Sequence, residues 1–588
     1  MQLIGRTTKK LTELFISNGW GFLIPYLALY LWGWYFEISV DHLVGLFWAL
    51  HLFFIVLLFT WLIPKILKKE ISIFWIFIFL LFLLPGAYLE FPSDAWTHVL
   101  RILRWQTFEV VSEHTQKAKM PYFWMWTWIS HLQPIQWRMG FNILSAFNQL
   151  LVAIQVYRLS RRLGFSKPWS HVQVFAFVAF FGTNIFGLRY YGLSTLPFSF
   201  TAFLASLEWT LSEKALWGRK FFGLFTLLVF MIFSHREEAL LFFIIVAGLG
   251  LSQGLQKLIQ WRKSQTLWGL AFLLGIQFVV GYYYFHLRPQ FFSSTGELSQ
   301  FTNFGNFKVW HEGHRYRDTL GLHGLVALLF ALVFFKKARR LSVLTWTGTL
   351  TLLMPLTVIA VILLFHRTGQ PDGLFYRILY AFPTSFIFVY GFREILGHLK
   401  ISHSWSEQKK ILAVFVVVLL FGIIPTRPWL GRLYFAVSLS NPERNLQYLD
   451  ETVQWFKQNR KILEPCPILS DPLSGYALNA FLGTHMYYNR LNPDTISPVK
   501  ELIEKNKTCG ILLVDPSQLS LGQSSGLTTG LPEFLPSKIA QLAGHWNPSL
   551  ADLRWYQNQK VALELQDIVK VGSWKRTPVP PFYTFYEP

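Results

Sequence analysis

The sequence of 588 residues has few charged side chains, since Lys, Arg, Asp and Glu together make up 14%, against about 25% in a typical soluble domain. Hydrophobic residues account for 53% of the chain and aromatic residues for 18%. Runs such as Phe74 to Leu84 and Ile411 to Ile424 cannot stay in water, because each Å² of apolar surface removed from it is worth about 25 cal/mol. The composition therefore excludes a disordered chain and an ordinary cytosolic protein, and it indicates a polytopic membrane protein.

Acidic residues are scarce in one part of the chain only. The whole sequence has 53 basic and 32 acidic residues, a formal charge of +21, but residues 428–588 contain 15 basic and 14 acidic side chains. The excess of positive charge therefore belongs to residues 1–427, where it lies between the hydrophobic runs. Basic residues in that position are topology signals, which makes nucleic-acid binding the poorer explanation of the charge.

Thirteen hydrophobic segments are candidates for membrane spans, each approaching the 20 or so residues that a helix needs to cross the hydrocarbon core. They are 19–37, 43–63, 71–89, 138–157, 170–187, 195–212, 221–234, 239–255, 267–285, 322–335, 341–365, 374–392 and 411–427. Lys and Arg collect in every second connection, as the positive-inside rule requires when the N-terminus is cytoplasmic. An odd number of spans places the part after Pro428 on the outer face, together with the long loop 90–137.

Residues 428–588 are expected to form a separate extracytoplasmic α/β domain. We predict helices at 443–460, 474–482 and 497–506, and extended segments at 467–470, 485–488 and 510–514, which together favour a small, mostly parallel sheet covered by helices. The chain has two cysteines, Cys466 and Cys509, each just ahead of a predicted strand. If these strands are neighbours in register, the two thiols can form a disulfide; otherwise they are buried thiols.

The loop 90–137 contains the strongest candidate for a catalytic group. Ser93 is a suitable N-cap, and the helix that it predicts carries Asp94, His98 and Arg101 at i, i+4 and i+7, on one face. Trp96 and other apolar residues form the opposite side, which suits a helix in the membrane interface with its polar face toward a cavity. Asp94 is either a general base or only a charge that stabilises the helix start.

Two further clusters are candidate binding sites at the outer surface. The turn around His235, Arg236 and Glu237 concentrates ionisable groups that must reach water or each other. Arg367 and Arg377 flank another outer turn, where a guanidinium either binds phosphate or extends to the lipid headgroups. None of these spacings is a metal-binding motif, so no metal ligand is assigned.

The chain resembles the GT-C superfamily of integral-membrane glycosyltransferases, which take sugar from a polyprenyl-phosphate carrier. The resemblance rests on Ser93-Asp94 in the first outer loop, the His235 turn, Arg377 with Phe382-Pro383 after it, and the segment from Leu469 to Tyr476 in the outer domain. It implies a base at Asp94, with Glu90 and Glu109 as substitutes, or a ligand there for divalent Mg or Mn. The superfamily's frequent Asp-Xaa-Asp and Asp-Glu pairs are absent, since Ala95 follows Asp94.

The resemblance implies transfer of a hexosyl or pentosyl group, with inversion at the anomeric carbon, to an outer acceptor that is a lipid, a glycan or a protein. Asp94 would deprotonate the acceptor, the arginines would stabilise the departing lipid phosphate, and His98 and His235 would hydrogen-bond either substrate. The expected location is a bacterial inner membrane with the outer domain in the periplasm, or the endoplasmic reticulum of a eukaryote. A lipid or glycan transporter, a flippase and a non-catalytic scaffold are the competing functions.

Overall fold

A computed structural model describes part of the chain with defined placement. The described residues are 73–83, 94–103, 120–129, 134–181, 192–211, 217–261, 263–282, 314–354, 357, 378, 382–399, 404–422, 447–459, 468–470, 472–482, 486–487, 510–514, 563, 565–580 and 583–587. The predicted spans 19–37 and 43–63, both cysteines and the predicted helix 497–506 lie outside these residues. The arrangement below concerns the described residues alone.

Helices form most of the described chain. In chain order they are α1 Ile73–Leu83, α2 Asp94–Leu103, α3 Met120–Ile129, α4 Pro134–Arg162, α5 Lys167–Phe181, α6 Leu196–Thr210, α7 Trp217–Ser234, α8 Arg236–Trp261, α9 Lys263–Tyr282, α10 His314–Val333, α11 Arg339–Leu353, α12 Ser385–His398, α13 Glu407–Gly422, α14 Gln447–Gln458 and α15 Pro472–Leu482. The five strands are β1 Ile468–Ser470, β2 Met486–Tyr487, β3 Gly510–Val514, β4 Lys575–Val579 and β5 Tyr583–Glu587. The predicted fold class is confirmed as far as its helical character and its α/β sheet are concerned, whereas the polytopic membrane architecture stays a prediction.

Two of the described helices are long and apolar enough to cross a membrane by length and composition. These segments are Met139–Arg162, within α4, and Arg236–Trp261, which is α8. Four other apolar segments are shorter, at Ile73–Leu83, Phe221–Ser234, Ser264–Val280 and Leu322–Val333. The number of membrane spans, thirteen from the sequence, stays a prediction.

The predicted span 374–392 differs from the helix that the structure describes there. Helix α12 begins at Ser385, and Phe382 and Pro383 precede it in non-helical conformation. Proline lacks a backbone N–H and disfavours helical geometry in the residue before it, so a helix tends to start after Pro383 and not to run through it. The structure therefore interrupts the predicted span at Phe382 and Pro383, and α12 continues to His398. Residues 374–377 and 379–381 of this span lie outside the described residues.

The chain divides into two compact units, of which one, helical in its described residues, comprises Val152–Gly187 and Ser199–Thr426. Several polar side chains on its apolar helices pair across helices. The Gln173 amide and the Ser385 hydroxyl lie 2.7 Å apart, and the Glu208 carboxylate accepts a hydrogen bond from Gln155 at 2.6 Å and contacts Arg158 Nε at 3.2 Å. Such pairing is needed because a buried polar group without a partner costs several kcal/mol in an apolar environment, on the order of 2–7.

The other unit comprises Met1–Leu151, Leu188–Phe198 and Arg427–Pro588, and it contains the sheet. The strand order is β2-β1-β3-β5-β4. Strands β1, β2 and β3 are parallel, with Leu469 opposite both Tyr487 and Ile511, whereas β5 is antiparallel to β3 and β4. The three predicted strands are confirmed. The sheet is mixed, because the antiparallel strands β4 and β5, which were not predicted, complete it.

Each face of the sheet has its own hydrophobic core. On one face Phe456 of α14 and Leu478 of α15 pack with Phe585 of β5. On the other face, residues of a short helix at 565–571 pack against Leu469 and Ile511. Helices on both faces are what keeps a mainly buried parallel segment out of water.

Candidate active site

Helix α2 presents two contrasting faces, as its sequence predicts. It begins at Asp94, directly after the expected N-cap, and Trp96, Val99 and Ile102 on its apolar face are almost completely buried. The ring of Trp96 packs edge-on against that of Phe481 in α15, with centroids 5.9 Å apart. The prediction that lipid covers this face is therefore corrected, because the α/β domain covers the part around Trp96.

The polar face of α2 meets the hydroxyl group of Tyr122 in α3. His98 Nδ1 lies 2.8 Å from the Tyr122 hydroxyl oxygen, and Arg101 Nη1 donates to the same oxygen at 3.4 Å. The imidazole and phenol rings are also stacked, with centroids 6.1 Å apart. The structure thus brings together two of the three residues predicted on this face, and Asp94 starts the same helix one turn before His98.

These contacts bear on the protonation of Tyr122. Burial raises the pKa of the Tyr122 hydroxyl above its ordinary value, while the nearby Arg101 acts in the opposite direction. The hydroxyl is therefore protonated at neutral pH, and its oxygen accepts a hydrogen bond from Arg101. Toward His98 Nδ1 the hydroxyl is the donor in one imidazole tautomer and the acceptor in the other.

Helix α3 is itself held in place on the side of α4. Met125, one turn after Tyr122, contacts the Asn148 amide, whose Nδ2 lies 3.3 Å from the Met125 sulfur and donates to the Gly192 carbonyl at 2.8 Å. Gly192 approaches α4 so closely that a Cβ there would stand 1.9 Å from the Ser145 hydroxyl oxygen. Glycine is needed at this point because any side chain would displace the turn from α4.

Replacing Tyr122 by Phe is expected to lower catalytic activity about tenfold and stability by about 0.5–1.5 kcal/mol, the net contribution of one hydrogen bond. The variant keeps the stacked ring but loses the hydroxyl that contacts His98 and Arg101. Transfer rates and thermal unfolding of the purified protein check the prediction. Tyr586→Phe is the matched control, since it keeps the ring beneath Arg576 in β4. Equal rates in wild type and Tyr122→Phe would dismiss the orienting role of the hydroxyl.

The predicted cluster around His235 lies between α7 and α8, in the helical unit. His235 Nδ1 is 2.6 Å from Glu238 Oε2, and the His235 carbonyl accepts a hydrogen bond from the Ser199 hydroxyl at 3.0 Å. Glu237 and Glu238 are buried, whereas Arg236 is exposed. The structure thus pairs His235 with Glu238, which the sequence analysis did not choose as a site residue.

Other predicted site residues fall beyond the described part of the chain. Arg367 and Arg377 are in this position, so their roles stay predictions. Among the described residues no three side chains of His, Cys, Asp or Glu come together as metal ligands.

Two residues that complete the α2 region were missed in the sequence. Tyr122 lies in a helix that is apolar all round, so nothing marks its hydroxyl as functional. Phe481 belongs to α15, and only the contact with Trp96 connects it to the loop 90–137. Both contacts join segments that are distant in sequence, and no local pattern records them.

Known proteins add no further constraint on the site. No model of a protein family matches the chain, and a search of the curated proteins finds no significant relative.

Proposed function

We propose that the protein is a membrane glycosyltransferase that moves a sugar from a polyprenyl-phosphate carrier to an acceptor outside the cytoplasm. The observation that carries this proposal is the polar face of α2. The helix begins at a carboxylate residue, Asp94, and carries an imidazole and a guanidinium that both contact one buried phenol. A base beside an oriented hydrogen-bond donor is what the activation of a hydroxyl group requires.

The proposed reaction is a single displacement with inversion. Asp94 takes the proton of the acceptor hydroxyl, the acceptor oxygen forms a bond to the anomeric carbon, and the bond from that carbon to the carrier phosphate breaks. The electron pair leaves with the phosphate, whose added charge a guanidinium would stabilise. His98 would hydrogen-bond one of the sugar or acceptor hydroxyls.

The membrane location is supported by apolar surface that the protein itself leaves uncovered. Helix α9 follows α8 and exposes its large side chains all round, including Trp268, Phe272 and Phe278 at 76%, 69% and 76% of their surface. Helix α8 has 26 residues, so at 1.5 Å per residue it is about 39 Å long, more than the hydrocarbon thickness of about 30 Å. Contact with lipid would remove these exposed apolar side chains from water.

The His235 turn supports a role in holding an anionic substrate. Glu238 is occupied by His235, and Arg236 stands exposed as the first residue of α8. The start of a helix favours anions through its unpaired backbone N–H groups and its dipole. We therefore propose that Arg236 meets the carrier phosphate, with His235 and Glu237 contributing to the same substrate site.

The direct test is transfer and binding with a radiolabelled polyprenyl-phosphate sugar, using protein reconstituted in liposomes. We expect a labelled glycosidic product with the wild type, and weaker donor binding with Arg377→Ala. Equal binding by both proteins would remove Arg377 from the phosphate site. Ion-driven uptake of substrate without any glycosidic product would show a transporter instead and would overturn the proposed function.

A further inference from the structure

The α/β domain contacts the candidate catalytic helix directly, which gives the domain a role in the reaction. We propose that α15 is a platform that fixes α2, with Trp96 and Phe481 as the positioning residues that hold Asp94 and His98 in their working geometry. This inference rests on the proposed function for its kinetic part. Its structural part is independent, because it concerns only the contact between two described helices.

The position of Trp96 on α2 supports the proposal. Trp96 is two residues from Asp94 and two from His98, and only 1% of its surface is exposed. A rotation of α2 about its axis, or a shift along it, would have to move this indole out of its packed site against Phe481. The rotational setting of the polar face is therefore fixed by the contact on the apolar face.

The position of Phe481 supports the proposal from the other side. Phe481 is the penultimate residue of α15 and packs against the core formed by Phe456, Leu478 and Phe585. Its ring thus contacts both the sheet core and α2. Replacing Phe481 therefore removes the ring that contacts α2 directly, whereas a change elsewhere in the sheet core leaves this contact in place.

The contacts of Tyr122 lie further along α2 than that of Trp96. The Tyr122 hydroxyl oxygen is 2.8 Å from His98 Nδ1 and 3.4 Å from Arg101 Nη1, and both residues lie beyond the first turn of the helix. Trp96 lies in the first turn, which begins at Asp94. A misplacement of about 1 Å at a reacting group can lower a rate by as much as 100-fold, so the contact of Trp96 with Phe481 has a catalytic consequence.

The experiment compares Phe481→Ala with Trp455→Ala in the full-length protein. Trp455 packs against the same core, and its ring meets those of Phe456 and Phe585. Both variants should lower the unfolding temperature, but only Phe481→Ala should raise hydrogen exchange in residues 94–103. We also expect Phe481→Ala to lower kcat by 10- to 100-fold with little change in KM for the donor. Trp96→Phe, which keeps an aromatic ring, should recover most of the rate lost in Trp96→Ala.

The outcomes separate the positioning role from the proposed function. Unchanged exchange in residues 94–103 of Phe481→Ala, or an equal increase in Trp455→Ala, would overturn the positioning role. A kcat equal to that of the wild type would overturn it as well. If the wild type transfers no sugar, the proposed function fails, whereas a selective rise in exchange would still establish that α15 fixes α2.

Discussion

Asp94→Asn is expected to lower sugar transfer by about 10²- to 10⁴-fold, the usual contribution of a general base, while expression and thermal unfolding stay as in the wild type. The amide has nearly the size of the carboxylate and leaves the expected N-cap Ser93 in place, but it cannot accept the proton of an acceptor hydroxyl. The measurement is the initial rate of product formation with saturating donor. Asp94→Glu, which keeps the carboxylate on a longer side chain, should retain partial activity.

The control for this substitution is Asp567→Asn. Asp567 is 74% exposed and pairs with Lys570 at 3.1 Å, so its replacement removes one carboxylate at the surface of the α/β domain. We expect no change in rate or stability, since exposed ion pairs contribute about 0–1 kcal/mol. A wild-type rate for Asp94→Asn would refute the base assignment, and Glu90 and Glu109 would then be the carboxylates to replace.

Gly391→Ala is expected to destabilise the helical unit by about 1–3 kcal/mol, as overpacking of a filled core does. A methyl group at this position of α12 would stand 2.1 Å from Cδ2 and 2.5 Å from Cγ of Phe330 in α10. The Phe330 ring has little room to move, because the rings of Phe334, Phe388 and Phe392 surround it with centroids 5.1–6.3 Å away. Thermal unfolding in detergent, followed by tryptophan fluorescence, measures the loss.

Gly397→Ala in the same helix supplies the matched control with the opposite sign. A Cβ at Gly397 meets no atom within 4 Å, and replacement of a helical glycine by alanine gains up to about 1 kcal/mol through the unfolded chain. The two variants add the same methyl group to the same helix, so their difference reports packing alone. Equal unfolding temperatures would mean that Phe330 does not pack on α12 as described.

The sheet illustrates which strands a sequence can predict. The segments 468–470, 486–487 and 510–514 are short apolar runs between turn residues, a pattern typical of buried strands. Strand β4 instead contains Lys575, Arg576 and Pro578, and it forms the edge of the sheet, where proline and charge are tolerated and apolar patterning is weak. Strand β5 was not predicted either, because its position in the sheet follows only from its pairing with β3.

The candidate site was predictable only as far as it is local. Helical spacing places Asp94, His98 and Arg101 on one face without any knowledge of the fold. The sequence could not tell whether lipid or protein covers the opposite face, because both surroundings favour Trp96 and its apolar neighbours equally. Tyr122 and Phe481 contact α2 from remote parts of the chain, and such contacts follow from tertiary packing alone.

The internal position of β5, between β3 and β4, affects how the α/β domain folds during synthesis. Strand β3 pairs with β1 on one side, but its other side is paired by β5, which is synthesised only after the long stretch 515–582. Until then the backbone N–H and C=O groups on the β5 side of Ile511, Leu512 and Leu513 can pair with a strand of another chain, and the core lacks Phe585. Before β5 is synthesised the domain is therefore open to incorrect strand pairing, so a chaperone that shields exposed strand edges would raise the yield of folded protein.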